Sequence, residues 1–279
     1  MKQRTKIFNG FSFALLLLLS ALFLFPIYLV IINSFKSKFN IVGTPFEFPN
    51  EDTFVGVENY ISGIQSSGIV GAFFRTLFIT VGSVLAIVIF TSMTAWYITR
   101  VKSKFNRIVY YLFLFSMIVP FQMVMFTMTS VCINLGLNNV IGIIPVYLGF
   151  GSGLSVFMFS GFVKSLPIEI EEAAMIDGCN PIRTFFSIVM PMLKPTLVSV
   201  GILEAMWVWN DYLLPTLVLD IKKYKTIPML IQYFRGSYGR VEMGPMMASI
   251  MLTIIPIIIV YLAGQKHIIK GVAAGAVKG

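Results

Sequence analysis

The chain has 279 residues, 57% of them hydrophobic and only 12% charged, with a mean hydropathy of +0.86. Soluble domains carry roughly 25% charged residues, so a water-soluble globular domain is excluded and a polytopic membrane protein is expected. The net charge of +9 arises from basic residues scattered singly and in short groups between apolar runs, which is the pattern of membrane-protein loops; no nucleic-acid partner is expected.

Runs of about 20 apolar residues, the length that crosses a bilayer as a helix, occur six times: 11–32, 72–99, 108–132, 140–163, 196–217 and 246–265. The first follows the basic stretch MKQRTKIFNG but is longer than a signal-peptide core and lacks a small-x-small cleavage site, so it is expected to stay as a spanning helix. Too little polar sequence remains for a separate soluble domain, and one membrane domain over 1–279 is expected.

Between the second and third runs, RVKSKFNR holds Arg100, Lys102, Lys104 and Arg107 without an acid, whereas the loop 33–71 holds more acids than bases. Positive-inside bias therefore places the former in the cytoplasm and the latter outside. Both termini then face the cytoplasm of a bacterial cell membrane. Loop 218–245 is external in this topology despite Lys222, Lys223, Lys225, Arg235 and Arg240, since longer loops follow the rule less closely. Cys132 and Cys179 fall on opposite sides of the membrane and are not expected to pair.

The loop at about 164–195 contains IEIEEAAMIDG. Pro167 suits a first helical turn, Glu169, Glu171 and Glu172 suit an N-terminal end, and Gly178 supplies a stop after Asp177. That predicts a short helix over 167–177. Asn180 and Pro181 then read as the cap and first position of a second helix, which breaks near Pro191 and Pro195. Interfacial helices that lie on lipid are usually rich in Lys and Arg. An acidic helix with Ala173 and Ala174 at its centre and Ile170 and Met175 beside them points instead to a protein partner.

The segment EEAAMIDGCNPIRTFFSIVMPMLKP resembles the EAA loop of binding-protein-dependent ABC importer permeases. NSFKSKF after the first run, VENY at 57–60, NLGLNN at 134–139, WNDYLLP at 209–215 and the tail IIKGVAAGAVKG resemble the carbohydrate-uptake branch, the maltose-permease G-type subunit. The resemblance implies an all-α integral membrane fold with six transmembrane helices, the type I importer permease fold, and a cytoplasmic EAA coupling helix. It implies ATPase coupling through Glu171, Glu172, Ala173, Ala174, Asp177 and Gly178, with Glu172, Ala173 and Ala174 as the docking core and Gly178 as the turn. It also implies the partners: a second permease subunit, an ATP-binding subunit dimer, an extracellular solute-binding protein, a sugar substrate and membrane lipid. The chain has no G-x-x-x-x-G-K-[ST] phosphate loop, so no cofactor is expected on it; ATP and Mg belong to the partner ATPase. Three departures stand out. Arg75-Thr76 replaces the Asn-Ser or Asn-Thr of many relatives, Cys179 stands where the family usually has a small residue such as Ala, and Phe121 replaces a second proline after Pro120.

Further along, Glu204 and Asp211 lie seven residues apart in the fifth run, hence on roughly one helical face, with Asn210 adjacent. Intramembrane carboxylates default to a functional reading. Glu204, Trp207, Asn210 and Asp211 are therefore candidates to line a translocation path, and bracing between helices is the structural alternative. Trp207, Trp209 and Tyr212 suit either stacking on a sugar ring or anchoring at the membrane interface. An ion- or proton-coupled secondary carrier using Glu204 and Asp211 is the competing function. It explains the acids but not the EAA-like loop. His267, the lone histidine, stands beside Lys266 and supports neither a metal site nor a triad, so no enzyme chemistry is expected. The turn-rich segment 219–245 is expected to face the binding protein, and the tail 271–279 to reach the ATPase.

Overall fold

In lipid every backbone polar group must be satisfied internally, which a helix does within itself. The computed structural model describes residues 2–233 and 242–276, and helix is its dominant regular structure. In chain order the helices are α1 (Lys2–Ser34), α2 (Lys38–Gly43), α3 (Glu58–Ser67), α4 (Ile69–Arg100), α5 (Lys104–Ile118), α6 (Phe121–Asn134), α7 (Ile143–Val163), α8 (Ile168–Ile176) and α9 (Pro181–Thr184). A π turn at Phe185–Val189 leads into α10 (Met190–Met192), followed by α11 (Lys194–Asn210), α12 (Leu213–Val218), α13 (Ile227–Tyr233) and α14 (Met243–Ala276). Among the described residues one isolated antiparallel bridge, Lys36 with Phe54, is the extent of β pairing.

Four stretches are each long and apolar enough to cross a membrane: Gly10–Ser34, Ile69–Arg100, Ile143–Val163 and Met243–Ala263. Two bent pairs meet the same test together, Lys104–Ile118 with Phe121–Asn134 at 107° and Pro181–Met192 with Lys194–Asn210 at 80°. Four of the six apolar runs thus fall on continuous helices, the third and fifth are interrupted, and the second bent pair joins the loop segment 181–192 to the helix of the fifth run. The third run breaks because Pro120 has no N–H to donate and forces Val119 into extended backbone at ψ 115°. The fifth, expected to continue to 217, stops at Asn210. Asp211 is extended at ψ 124°, and its Oδ1 accepts from the N–H groups of Leu213 at 3.0 Å and Leu214 at 3.4 Å, opening α12.

Two compact units account for the described residues, one drawn from Met1–Val70 and Leu230–Ile255, the other from Gly71–Met229 and Pro256–Gly279. In the first, NSFKSKF and VENY are halves of one joint. Asn59 Nδ2 donates to the carbonyls of Ser34 and Lys36, both at 2.9 Å, and the Tyr60 hydroxyl pairs with Ser34 Oγ at 2.8 Å. Lys36 is fully enclosed there and donates from Nζ to the Thr44 carbonyl at 2.7 Å.

In the second unit the core runs along α7. Ile143 and Tyr147 pack with Ile79, Val208 and Leu214; Val156 and Phe159 with Ala95 and Val200; Val163 with Phe185, Val189 and Leu193. Gly153 permits close approach of α5, since a methyl group there would meet the Phe113 carbonyl at 2.9 Å. The motif NLGLNN is the α6–α7 turn: Gly136 takes φ +68°, and Asn139 Oδ1 accepts from the N–H of Ile141 at 3.1 Å and of Gly142 at 2.9 Å. At the same end, the Asp220 N–H donates to the Asn138 carbonyl at 3.3 Å. Arg75 Nε donates to the Lys225 carbonyl at 3.0 Å, which gives this departure from the family pattern a structural role. Arg235 and Arg240 lie outside the described residues.

Thr76, buried on α4, uses its hydroxyl oxygen to accept the Ile227 N–H at 2.9 Å while donating to the Ala72 carbonyl at 2.8 Å. Thr76→Val keeps the shape but orphans a buried N–H, so a loss of about 1–3 kcal/mol is expected. Thermal unfolding of the purified protein checks it, with Thr76→Ser expected to retain most of the stability.

Candidate functional site

The loop helix α8 begins one residue after the predicted start and ends one before the predicted end. Pro167 caps it in extended conformation, Glu169 and Glu171 occupy the first turn, and Gly178 follows at φ +84°, a left-handed conformation that glycine adopts without strain. Asn180 then caps α9, its Oδ1 accepting the Arg183 N–H at 2.8 Å, with Pro181 at the first helical position. These local signals act as the sequence indicates.

The expectation that the acids face a partner needs correction at Glu171. Its carboxylate is buried and held inside the chain: Oε2 accepts from Trp96 Nε1 at 2.8 Å, and Oε1 accepts from Arg100 Nε at 2.9 Å and Nη2 at 2.7 Å. Arg100 Nη2 also donates to the Leu166 carbonyl at 3.0 Å, just before α8. A guanidinium fork and an indole N–H satisfy a buried carboxylate at the end of a long apolar helix, the arrangement that makes such burial tolerable. Trp96 in turn packs on Phe185 of the π turn, with ring centroids 5.5 Å apart. Both flanks of α8 are therefore fixed to α4.

Three residues on from Glu171, Ala174 shares its inward face and is 7% exposed. Glu172, Ala173, Asp177 and Gly178 are exposed. Beside them Met175 is half-exposed, Ile182 is exposed, and Ile176 reaches 86%. The expected docking core is thus divided: Ala174 belongs to the seat of the helix, while Glu172 and Ala173 belong to its outer surface. Burial and charge alternate along one short helix, giving a rigid knob with an apolar and acidic outer face.

The intramembrane candidates also divide. Glu204 is enclosed within the chain. It is 3% exposed between α11 and α7, where it accepts from Ser155 Oγ at 3.0 Å, and Gly151 leaves room for its carboxylate. Asn210 is exposed, but its Nδ2 donates to the Met206 carbonyl of its own helix at 2.7 Å. Trp209 is buried against Phe73 at 5.7 Å.

Asp211 and Trp207 do come together. They line a cleft of about 400 Å³ with Phe121 and Phe150, beside the Pro120 break. Phe121 meets Phe150 edge-on at 5.2 Å, and Trp207 meets Tyr147 edge-on at 5.4 Å. The Tyr147 hydroxyl donates to Asp211 Oδ2 at 3.1 Å. The cleft presents aromatic faces and one carboxylate, surfaces that suit the C–H faces and hydroxyls of a polyol ring. Phe121, Phe150 and Tyr147 were not marked as site residues by the sequence. Phe121, a departure from the family pattern, was the available signal. Tyr212 is half-exposed; α14 continues into the tail as far as Ala276, while residues 277–279 and the side chain of His267 lie outside what the structure describes.

Continuous and broken apolar helices with a loop helix pinned to their end define a multi-pass membrane protein. Residues 87–274 match the family described as binding-protein-dependent transport system inner membrane component, and the chain belongs to that family. It is 37% identical to the probable starch degradation products transport system permease protein of Thermoanaerobacterium thermosulfurigenes, over 94% of each chain. It is 38% identical to the multiple sugar-binding transport system permease protein of Streptococcus mutans, over 100% of each. It is 30% identical to the melibiose/raffinose/stachyose import permease protein of Bacillus subtilis, over 91% of each. Among solved structures, a chain of a bacterial ABC transporter involved in the import of the acidic polysaccharide alginate shares the fold at a TM-score of 0.81. That match has 22% identity and covers 94% of this chain and 96% of that one. The protein is accordingly a permease component of a transport system and not an enzyme.

Arg100→Met strands the Glu171 carboxylate in a buried position and is expected to cost about 3–5 kcal/mol. The double variant Arg100→Met/Glu171→Met should recover much of that loss. Denaturation of single and double variants measures the coupling, and additive losses would show that the two side chains act independently.

Proposed function

We propose that this chain is the permease subunit of an ATP-driven, binding-protein-dependent importer of sugars or oligosaccharides, working beside a second, distinct permease subunit. The single observation that carries the coupling role is the α8 knob: its base is fixed by Glu171 to Arg100 and Trp96, and its outer face displays Glu172, Ala173, Met175 and Ile176 to solvent. A rigid, exposed knob transmits displacement, whereas a loosely tethered one absorbs it. ATP and Mg bind a dimer of ATP-binding subunits, and the knob seats in that dimer. Closure on ATP shifts α8, and through Arg100 the end of α4 moves with it, alternating access to a path between the two permeases. An extracellular solute-binding protein delivers the sugar, and both termini face the cytoplasm.

The sugar assignment follows the substrates in the names of the relatives above and the aromatic cleft at Trp207 and Asp211. A secondary carrier using Glu204 and Asp211 is less well supported, because Glu204 is enclosed beside Ser155 and Asp211 is engaged in capping α12 and accepting from Tyr147.

Sugar uptake by proteoliposomes holding the co-purified complex tests the reading. Wild type should accumulate sugar only with internal ATP. Glu172→Lys should reduce both uptake and retention of the ATP-binding subunits by at least about tenfold, as expected for 1.4 kcal/mol or more at a docking contact. Gly178→Val should do the same, because a β-branched residue strains the left-handed turn. Uptake that proceeds without ATP, unchanged in both variants, would favour the carrier. Separately, Trp207→Ala should raise the sugar concentration for half-maximal uptake while leaving subunit retention intact.

A further inference from the structure

The aromatic cleft is backed by a residue that does not itself reach it. Tyr147, on α7, is 0% exposed and packed among Ile79, Val208 and Leu214. Its two ends touch different residues of the cleft wall. The ring meets Trp207 edge-on with centroids 5.4 Å apart, and the hydroxyl donates to Asp211 Oδ2 at 3.1 Å. Trp207 and Asp211 both line the cleft, whereas Tyr147 stands behind them.

The stretch WVWND explains how one residue can reach both. Residues two apart on a helix are about 200° apart, so Trp209 turns inward against Phe73 of α4 while Trp207 faces the cleft. Asp211 follows Trp207 by four residues, one turn on and on the same side. There α11 has ended and the backbone is extended at ψ 124°. The tyrosine lies along this pair, its ring beside the indole and its hydroxyl at the carboxylate.

Counting hydrogen bonds shows what each group has left for a ligand. A carboxylate has about four acceptor sites. At Asp211 three are taken: Oδ1 accepts the N–H groups of Leu213 and Leu214, and Oδ2 accepts from Tyr147. The fourth, on Oδ2, is open to a hydroxyl donor. Tyr147 has already given its proton to Asp211 and is enclosed, so it acts on a ligand only through its neighbours. Among the described residues it is also the one ring packed against Trp207. Side chains fixed before a ligand arrives lose no freedom when it binds. Packing alone would explain a buried ring at position 147, and phenylalanine would meet that need. It does not explain a hydroxyl aimed at a carboxylate of the cleft wall.

We propose that Tyr147 is a positioning residue for saccharide binding. It holds the Trp207 ring and the Asp211 carboxylate so that the C–H face of a sugar rests on the indole and a sugar hydroxyl donates to Asp211 Oδ2. This role presupposes the sugar reading of the cleft.

Saturation-transfer NMR of raffinose or maltotriose with the detergent-purified importer complex, without its binding protein, measures sugar affinity at the permease alone. Trp207→Ala and Asp211→Asn should each weaken binding at least about tenfold. Tyr147→Phe, which keeps the ring and removes the hydroxyl, should weaken it about three- to tenfold. Because the hydroxyl acts through Asp211, Tyr147→Phe/Asp211→Asn should bind no more weakly than Asp211→Asn alone. Tyr147→Leu, which also frees the indole, should bind more weakly than Tyr147→Phe, and that difference should vanish in the Trp207→Ala background. Wild-type affinity in Tyr147→Phe, with Trp207→Ala and Asp211→Asn impaired, would overturn the positioning role and leave the sugar cleft standing. Losses that multiply in the Tyr147→Phe/Asp211→Asn variant would do the same. Unchanged affinity in both Trp207→Ala and Asp211→Asn, or no binding by wild type, would instead overturn the sugar reading of the cleft and the positioning role with it.

Discussion

A carboxylate buried at the end of a membrane helix needs compensation, and Glu171 finds it from Arg100 and Trp96 on α4. Removing that charge from water costs several kcal/mol unless the geometry is good and further donors are at hand. The bidentate guanidinium and the indole N–H supply both. Because they stand one helical turn apart, they fix the position and the rotation of α8, and with it which side chains point outward. Without this pair the short helix would be held mainly by its apolar contacts, since nine residues are too few for independent helical stability.

The same requirement for internal partners shapes the fifth apolar run. Asp211 would be an isolated charge within a continuous helix; by ending α11 it becomes the cap of α12 and the acceptor of Tyr147. The break that satisfies the acid also brings its carboxylate beside Trp207 at the rim of the aromatic cleft. One polar residue therefore explains both a discontinuity in the helix and the chemistry of the neighbouring surface. Glu204, seven residues earlier, shares its face by periodicity but meets Ser155 on α7 and stays inside.

Local chemistry was legible in the sequence: Gly178 ended α8, Asn180 capped α9, and six apolar runs marked the helices. What remained hidden depends on contacts between distant residues. Glu171 and Glu172 are chemically alike and adjacent, and only the position of α4, some 71 residues earlier, separates an internal anchor from an exposed acid. NSFKSKF and VENY were recognisable as motifs, yet their joint through Asn59 and Tyr60 required folded geometry. The cleft at Trp207 escaped notice because Phe121 and Phe150 look like ordinary membrane-helix residues until a proline bend brings them together.

The π turn at Phe185–Val189 lies between the knob and α11. A π turn accommodates one more residue than an α turn, and such segments are frequent at functional sites. Loss of one residue here would let the helix regularise with little penalty to its own hydrogen bonding. Each residue of α-helix advances about 100° in azimuth and about 1.5 Å along the axis, so everything before the turn would swing relative to α11. A deletion of one codon would leave a well-formed helix aiming its knob in the wrong direction. This stretch should consequently accept changes of side chain more readily than changes of length over evolutionary time.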